Sequence, residues 1–325
     1  MVAAVLAVLL SALLGASASD AAASPAHRNS ASMCGVLRKA PRYRHVIVIM
    51  EENISYTNIV GSSSAPYINQ VINSCGLATN YHNITHQSLP NYIGLADGAP
   101  LNQLGPLESD CNPGPGCQSD RASIFSQIAS GGGWRSYEES MPQPCDASNS
   151  GYYAVRHNPA VYFPGLMDCA ANDVRLGAIG NSRLLQDFSS EATAPAFALV
   201  IPNLCHDMHG ADGCPGDPIR AGDAWLRNWL AQLTGTRVYR SHDAAVFIVW
   251  DEGDSGNTGQ RCALNTRAPG CHVAAIAVAP SVRHRTRLKA LLNHYSLLKT
   301  TEDLLGLSEL GRAQSASSAA PGFNL

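Results

Sequence analysis

Three polar clusters in this 325-residue chain hold side chains that bind cations or phosphate: Glu51-Glu52-Asn53, then Asn203 with His206-Asp207-Met208-His209, then Asp251-Glu252-Gly253-Asp254. Carboxylates, an amide and imidazoles are oxygen and nitrogen donors that together can hold a divalent cation. Any one cluster, taken alone, reads equally as a solvated loop or a helix cap. A fourth segment, Thr85-His86-Gln87-Ser88-Leu89-Pro90-Asn91-Tyr92, places Ser88 where a helix can start. Its hydroxyl can cap, and Pro90 is tolerated in a first turn, where its missing N–H would be unpaired anyway. A helix N-terminus favours a bound phosphate, and a serine there can attack phosphorus if a metal bonded to its oxygen lowers its pKa. From this octet alone, an N-cap is the commoner use of such a serine.

These residues need elements to bring them together. Four apolar, β-branched runs read as strands covered on both faces: His45–Met50, Ala196–Ile201, Ala244–Trp250 and Val273–Ala279. Helical spacing covers a segment from near Ser88 through Ala96, then Asp223–Leu233, then His294–Leu305, which Gly306 stops. Strands alternating with helices predict an α/β fold with a mostly parallel central sheet flanked by helices. Ligands in such sheets bind outside the carboxyl ends of the strands. The three clusters each follow an apolar run and would therefore share one edge. Residues 97–172, rich in Gly, Pro, Asn, Ser and Cys, read as a cap-like insertion beside the sheet. The small, polar tail from Ser308 to Leu325 reads as mobile.

Composition narrows the setting. Hydrophobic residues make up 45% and charged residues 14%, which suits a folded chain rather than a disordered one. The formal net charge is −3 with no Lys/Arg run, so no nucleic-acid partner is expected. Val2–Leu14 is almost unbroken apolar sequence followed by small residues, without a Lys or Arg before it. This predicts a signal peptide over residues 1–23, secretion to the extracellular space, and a single domain over residues 24–325. The run is shorter than the ~20 residues a span needs, so no stable membrane insertion is expected. Ten cysteines agree with export. No C-x-x-C pair points to zinc thiolates. Sequence leaves their connectivity open; the expectation is that sequential neighbours pair, Cys34–Cys75, Cys111–Cys117, Cys145–Cys169, Cys205–Cys214 and Cys262–Cys271.

Taken in order, HVIVIMEENISYTNIVG (45–61), THQSLPNYIGLADG (85–98), WRSYEESMP (134–142), YYAVRHNPAVYF (152–163), IPNLCHDMHG (201–210), GDAWL (222–226), VWDEGD (249–254) and NHYSLLKTTEDLLGL (293–307) resemble the phosphoesterase family of bacterial acid phosphatases and phospholipases C, within the alkaline-phosphatase-like superfamily. The layout is most similar to the short secreted acid phosphatases, one of which acts on a phosphoinositide. The resemblance implies that Glu52, Asn53, Asp251 and Glu252 hold a metal ion and that Ser88 both binds it and is the nucleophile. It implies that His157 and His209 line the substrate phosphate, either one protonating the leaving alcohol, and that Asn91 orients the helix start or a phosphate oxygen. It further implies His206 and Asp207 as substrate contacts. Oxygen ligands suit Mg, Ca or Mn, and imidazole would admit Zn or Fe. The chain departs from the family at Gln87, where Pro is frequent, at His206, where Asn is frequent, and at His272. It lacks the Cys-x-Pro-x-Arg segment of sulfatases. The implied activity is hydrolysis of phosphate monoesters, phosphoinositides among them, through a phosphoserine, with a small phosphate ester or phospholipid headgroup as the partner. The short chain, without an added C-terminal domain, favours this over a phospholipase C-like phosphodiesterase. A non-catalytic secreted protein that binds a phosphorylated ligand is the alternative of another class. Oligomeric state stays open.

Overall fold

The run His45–Glu51 forms β1 and is buried at every position. The runs Phe197–Ile201 and Ala244–Trp250 lie on either side of it, parallel, also buried throughout. Branched side chains covered on both faces are what an inner parallel strand requires. These come from a computed structural model that describes residue 1 and residues 32–128, 133–256, 259–263 and 268–325. The expected leader over residues 1–23, Met1 apart, lies outside the described residues.

In chain order the main sheet holds β1, β2 (Gly76–His82), β3 (Trp134–Glu138), β4 (Asp173–Arg175), β5 (Phe197–Ile201), β6 (Ala244–Trp250), β7 (His272–Val278), β8 (Thr286–Leu288) and β9 (Leu292–Asn293). Their order in space is β8-β2-β7-β6-β1-β5-β3-β4, with β9 also paired to β2. All neighbours are parallel except β7, which is antiparallel to both β6 and β2. β2 therefore runs the same way as β6, and the carboxyl ends of β1, β2, β3, β5 and β6 face one edge. The mostly parallel α/β sheet expected from the sequence is the architecture found.

Helices flank the sheet in two packed pairs: α1 (Pro66–Ser74) with α3 (Pro218–Thr234), and α2 (Ser88–Asp97) with α4 (His294–Leu305). Local sequence sets their ends. Asp217 caps α3 by accepting from the N–H groups of Ile219 at 2.9 Å and Arg220 at 3.3 Å, with Pro218 in the first position. Within α3, the buried Asp223 accepts from the N–H groups of Tyr67 and Ile68 and so caps α1 across the helix pair. A reciprocal Asn293–Ser296 capping box starts α4. Gly98 ends α2 at φ +68°, and a Cβ there would stand 2.5 Å from the Leu310 carbonyl oxygen.

Two expectations need correcting. Residues 97–172 are not only a cap, because β3 lies within them and pairs with β5 inside the main sheet. Its sequence, WRSYE, buries a serine and a glutamate and carries no apolar run, so the pattern of an inner strand was hidden. Trp134 is fully buried, its ring 4.7 Å from that of Phe125. Nor is the tail loose. Ala313 and Phe323 are buried, and Asn324 donates to the Ser281 carbonyl at 2.8 Å. A few anchors among small residues fix it.

All ten cysteines are paired as sequential neighbours: Cys34–Cys75, Cys111–Cys117, Cys145–Cys169, Cys205–Cys214 and Cys262–Cys271. Residues 32–325 form one compact unit. Among the described residues no helix is long and apolar enough to cross a membrane.

Candidate active site

The three polar clusters meet because β5, β1 and β6 are adjacent and parallel. Backbone bonds tie their ends: Glu52 N–H donates to the Asp207 carbonyl at 2.7 Å, and Asp251 N–H to the Glu51 carbonyl at 2.9 Å. Asn53 sits at φ +44°, a left-handed conformation that asparagine tolerates, and its N–H donates to Asp251 Oδ1 at 3.1 Å. β6 ends at Trp250, which frees Asp251 and Glu252 from the alternation of a strand, and both are buried in the cluster.

Ser88 arrives from the same edge, through the loop that follows β2. The N-cap position of α2 is Gln87, so Ser88 is the first helical residue and not the cap. It is 2% exposed, and its hydroxyl donates to Glu52 Oε2 at 3.1 Å. The helix start offers an anion less than expected: Leu89 N–H is taken by Asp110 Oδ1 at 3.0 Å, and Pro90 has none. Asn91 is committed to the loop. Its oxygen accepts from Ile84 and Thr85 N–H groups at 2.8 and 3.3 Å, and its nitrogen donates to the Thr85 and Gln87 carbonyls at 2.9 and 2.8 Å. Of the two roles expected for it, this is the helix-start role, with no amide atom left for phosphate.

One terminal atom of the Asn53 carboxamide lies 3.2–3.3 Å from three carboxylate oxygens, Glu52 Oε2, Asp251 Oδ1 and Glu252 Oε1. As nitrogen it shares its two N–H groups among the three. As oxygen it completes a set of four acceptors with no proton between them, which a cation would hold together. Burial, then the neighbouring Asp251, pushes Glu52 well above the usual carboxylate range, and burial does the same to Asp207. Asp251 is raised to about 8 by burial and by Glu252; Glu252 is raised to about 8 by burial and by Asp110. Without a cation the cluster must therefore hold protons at neutral pH. Asp251 Oδ2 and Asp207 Oδ2 are buried with no hydrogen-bond partner. This oxygen-rich set fits a hard divalent cation.

Two other groups are candidate metal clusters by proximity: His86 with Cys262 and Cys271, and Asp173 with Cys145 and Cys169, each with ligand atoms within 4.8 Å of one another. Their sulfurs are joined in disulfides, so they are not thiolates. Among the described residues no such tight group unites Glu52, Asp251 and Glu252.

His157 lies buried between two carboxylates, Nε2 at 3.3 Å from Glu52 Oε2 and Nδ1 at 3.5 Å from Asp207 Oδ2, its ring stacked on Tyr92. Burial, with Arg156 and His209 nearby, holds its pKa well below the usual imidazole value. That direction favours the neutral form of His157 in the cation-free protein. His209 is exposed at the rim; its Nδ1 contacts the Gly210 carbonyl at 2.8 Å and its Nε2 lies 3.3 Å from Arg156 Nη2. Asp207 is buried, accepts from His209 N–H at 2.8 Å and braces His157, so it faces protein rather than solvent. His206 is paired with Glu139 at 3.0 Å, which raises its pKa, and it borders an open groove with Trp225 and Trp229.

Sequence reasoning passed over four neighbours of this cluster. The Tyr92 hydroxyl donates to Glu52 Oε1, and His86 Nδ1 contacts Glu252 Oε2. Asp110 joins the start of α2, and Arg156 extends its charge over Glu52, Asp207 and Glu252. Tyr92 is four residues after Ser88 on one helix face, a spacing that could have signalled it. Asp110 and Arg156 reach the site only through tertiary folding.

A model of the phosphoesterase family matches residues 62–308, well over half of the chain, beginning after Glu52 and Asn53. The phosphatidylinositol-3-phosphatase of Mycobacterium tuberculosis is 29% identical over 277 residues, covering 85% of this chain and 81% of that protein. An acid phosphatase of Aspergillus fumigatus is 25% identical, covering 80% of this chain but only 54% of the fungal protein. Among solved structures, an alkaline phosphatase superfamily protein from Vibrio parahaemolyticus aligns with TM-score 0.57 at 12% identity, covering 87% of this chain and 72% of that one. The lipoteichoic acid synthase LtaP of Listeria monocytogenes aligns with TM-score 0.54 at 12% identity, covering 86% and 78%. At such identities these structures speak for the fold alone.

Proposed function

The chain belongs to the phosphoesterase family, and on that premise we propose that it is a metal-dependent phosphomonoesterase acting through a phosphoserine at Ser88. The fold is that of a hydrolase of phosphate esters. The observation that carries the finer reading is the buried Ser88 hydroxyl, 3.1 Å from Glu52 and set among the carboxylates around Asn53.

Glu52, Asn53, Asp251 and Glu252 would hold a divalent cation. Bound there, it would lower the pKa of the serine hydroxyl and offset charge on the phosphate oxygens. Ser88 Oγ attacks phosphorus in line; the serine O–P bond forms as the ester P–O bond breaks. Glu52 Oε2 is within reach of the serine proton. His157, held neutral and wedged between Glu52 and Asp207, fixes the orientation of Glu52. His209, exposed at the rim, would protonate the leaving alkoxide in its imidazolium form, with Nε2–H turned away from Arg156. Water then attacks the phosphoserine and releases phosphate.

The similarity to the M. tuberculosis enzyme supports phosphoinositides as one substrate class. The five disulfides support an oxidising, extracellular setting. The test is turnover of p-nitrophenyl phosphate, of phosphatidylinositol 3-phosphate in vesicles and of bis(p-nitrophenyl) phosphate by protein reconstituted with Mg, Ca, Mn, Zn or Fe. Monoester turnover that needs a metal supports the proposal. Faster turnover of the diester, or activity untouched by chelation, would overturn it.

A further inference from the structure

Arg156 lies in the 3-10 turn Val155–His157 that packs against α2, with its side chain 24% exposed. Its Nε is 3.4 Å from Asp110 Oδ2, and its Nη2 is 3.3 Å from His209 Nε2. Asp110 in turn accepts from Leu89 N–H at 3.0 Å through Oδ1, and its own N–H donates to Gln87 Oε1 at 2.7 Å. The guanidinium is thus tied, through one carboxylate, to the residues on both sides of Ser88. A guanidinium has five donors in a rigid fork, and these contacts leave part of that fork free.

The electrostatic setting gives the free donors a use. Four buried carboxylates, Glu52, Asp207, Asp251 and Glu252, lie in the cluster that the Ser88 hydroxyl joins through Glu52. A phosphate monoester near neutral pH carries close to two negative charges on three terminal oxygens. A diester carries one charge and has one terminal oxygen fewer. If one terminal oxygen faces the cation site, the monoester still offers two to a planar fork, and the diester offers one. Fork-to-fork pairing is the stronger and more directional contact.

Resting on the reading of Ser88 as the nucleophile, we propose that Arg156 selects phosphomonoesters over phosphodiesters by holding two terminal oxygens of the phosphate that Ser88 attacks. Asp110 is its positioning residue, fixing the guanidinium in plane beside α2, and His209 sits against its outer edge.

The experiment uses the full chain loaded with the metal that gives the highest turnover. Wild type, Arg156→Lys and Arg156→Gln are compared on p-nitrophenyl phosphate and bis(p-nitrophenyl) phosphate, with a melting curve for each variant and an isotherm for inorganic phosphate. Arg156→Gln should lower kcat/KM on the monoester about 10- to 100-fold, the effect of losing a charge-assisted contact, while the diester rate changes less than about threefold. Arg156→Lys keeps the charge without the fork and should fall between. Phosphate affinity should drop in the same order. Equal losses on both esters, or unchanged phosphate affinity in Arg156→Gln, would overturn the assignment. A wild type that hydrolysed neither ester would refute the hydrolase reading instead, and the phosphate isotherms would still decide for or against Arg156.

Discussion

Replacing Ser88 with alanine removes one buried oxygen and its 3.1 Å donation to Glu52 Oε2. A hydrogen bond to an ionised acceptor is worth about 1.5–3 kcal/mol. Here burial raises Glu52 well above the usual range, so in the cation-free protein the acceptor is largely protonated, and Tyr92 still bonds its other oxygen. The loss then falls to the ordinary level of about 1 kcal/mol, or ~1–2 °C in Tm for a chain of this length. Turnover should behave quite differently. If Ser88 makes the first bond to phosphorus, kcat should drop about a thousandfold or more. The assay is p-nitrophenol release with each candidate metal, beside a circular-dichroism melt of the same sample. Acid-quenched wild type should gain the mass of one phosphoryl group on the peptide that carries Ser88. An alanine variant that keeps turnover within about tenfold of wild type, or a phosphoryl group found on another peptide, would refute the reasoning.

Asp251→Asn should bind the activating cation about 100-fold more weakly by equilibrium dialysis. Yet it should melt no lower than wild type when both are cation-free, because in that state the Asp251 carboxyl is pushed to about 8; a large loss of cation-free stability would contradict this. Asp97, at the end of α2, accepts from Ala99 N–H and the Ser119 hydroxyl, but burial still raises its pKa from 3.8 to about 6. A carboxyl whose folded pKa is raised favours the folded state while protonated, so wild type loses up to about 3 kcal/mol as pH rises from about 4 to about 6. Asp97→Asn removes that slope: its Tm advantage should be absent near pH 4 and complete above about pH 6, and a pH-independent difference would be the refuting result. Cys34 and Cys75 are 41 residues apart and Cys111 and Cys117 only 6. Chain entropy alone then assigns about 4 and about 2 kcal/mol to the two bridges, and paired Cys→Ala variants should show the first costing about twice the second in urea unfolding.

Strands β1, β5, β6 and β7 were legible in the sequence because each is covered on both faces and writes an unbroken apolar run. β2 (GLATNYH) and β3 (WRSYE) were not, because they bury polar and aromatic side chains among tertiary partners that no local pattern shows. The convergence of Glu52, Asn53, Asp251 and Glu252 followed from parallel strand order, which the alternation of elements implied; Ser88 was set beside them only by the family resemblance. The details within that convergence did not. That Ser88 is the first helical residue and not the cap depends on the path of the loop from β2. That Asn91 braces that loop, and that His157 sits neutral between two carboxylates, depends on burial, which the sequence gives only indirectly. Arg156 was visible inside the R-H-N-P segment, but its value comes from Asp110, 46 positions earlier, and that proximity exists only once the chain has folded.

Three of the disulfides close small rings beside this edge: Cys111–Cys117 just after Asp110, Cys205–Cys214 around the His206–His209 turn, and Cys262–Cys271 against His86. Each ring is anchored covalently at its own base, whereas the proposed cation ligands hang from the innermost strands of the sheet. The molecule thus separates a fixed chassis from interchangeable cassettes. An engineer seeking a new ester specificity would randomise residues 112, 113, 115, 211 and 212, keep the positive-φ glycines Gly114, Gly116, Gly210 and Gly213 between them, and leave 51–53 and 250–252 untouched. Libraries confined to those rings should retain folding in most members, because the changes reach neither the sheet nor its hydrophobic interior.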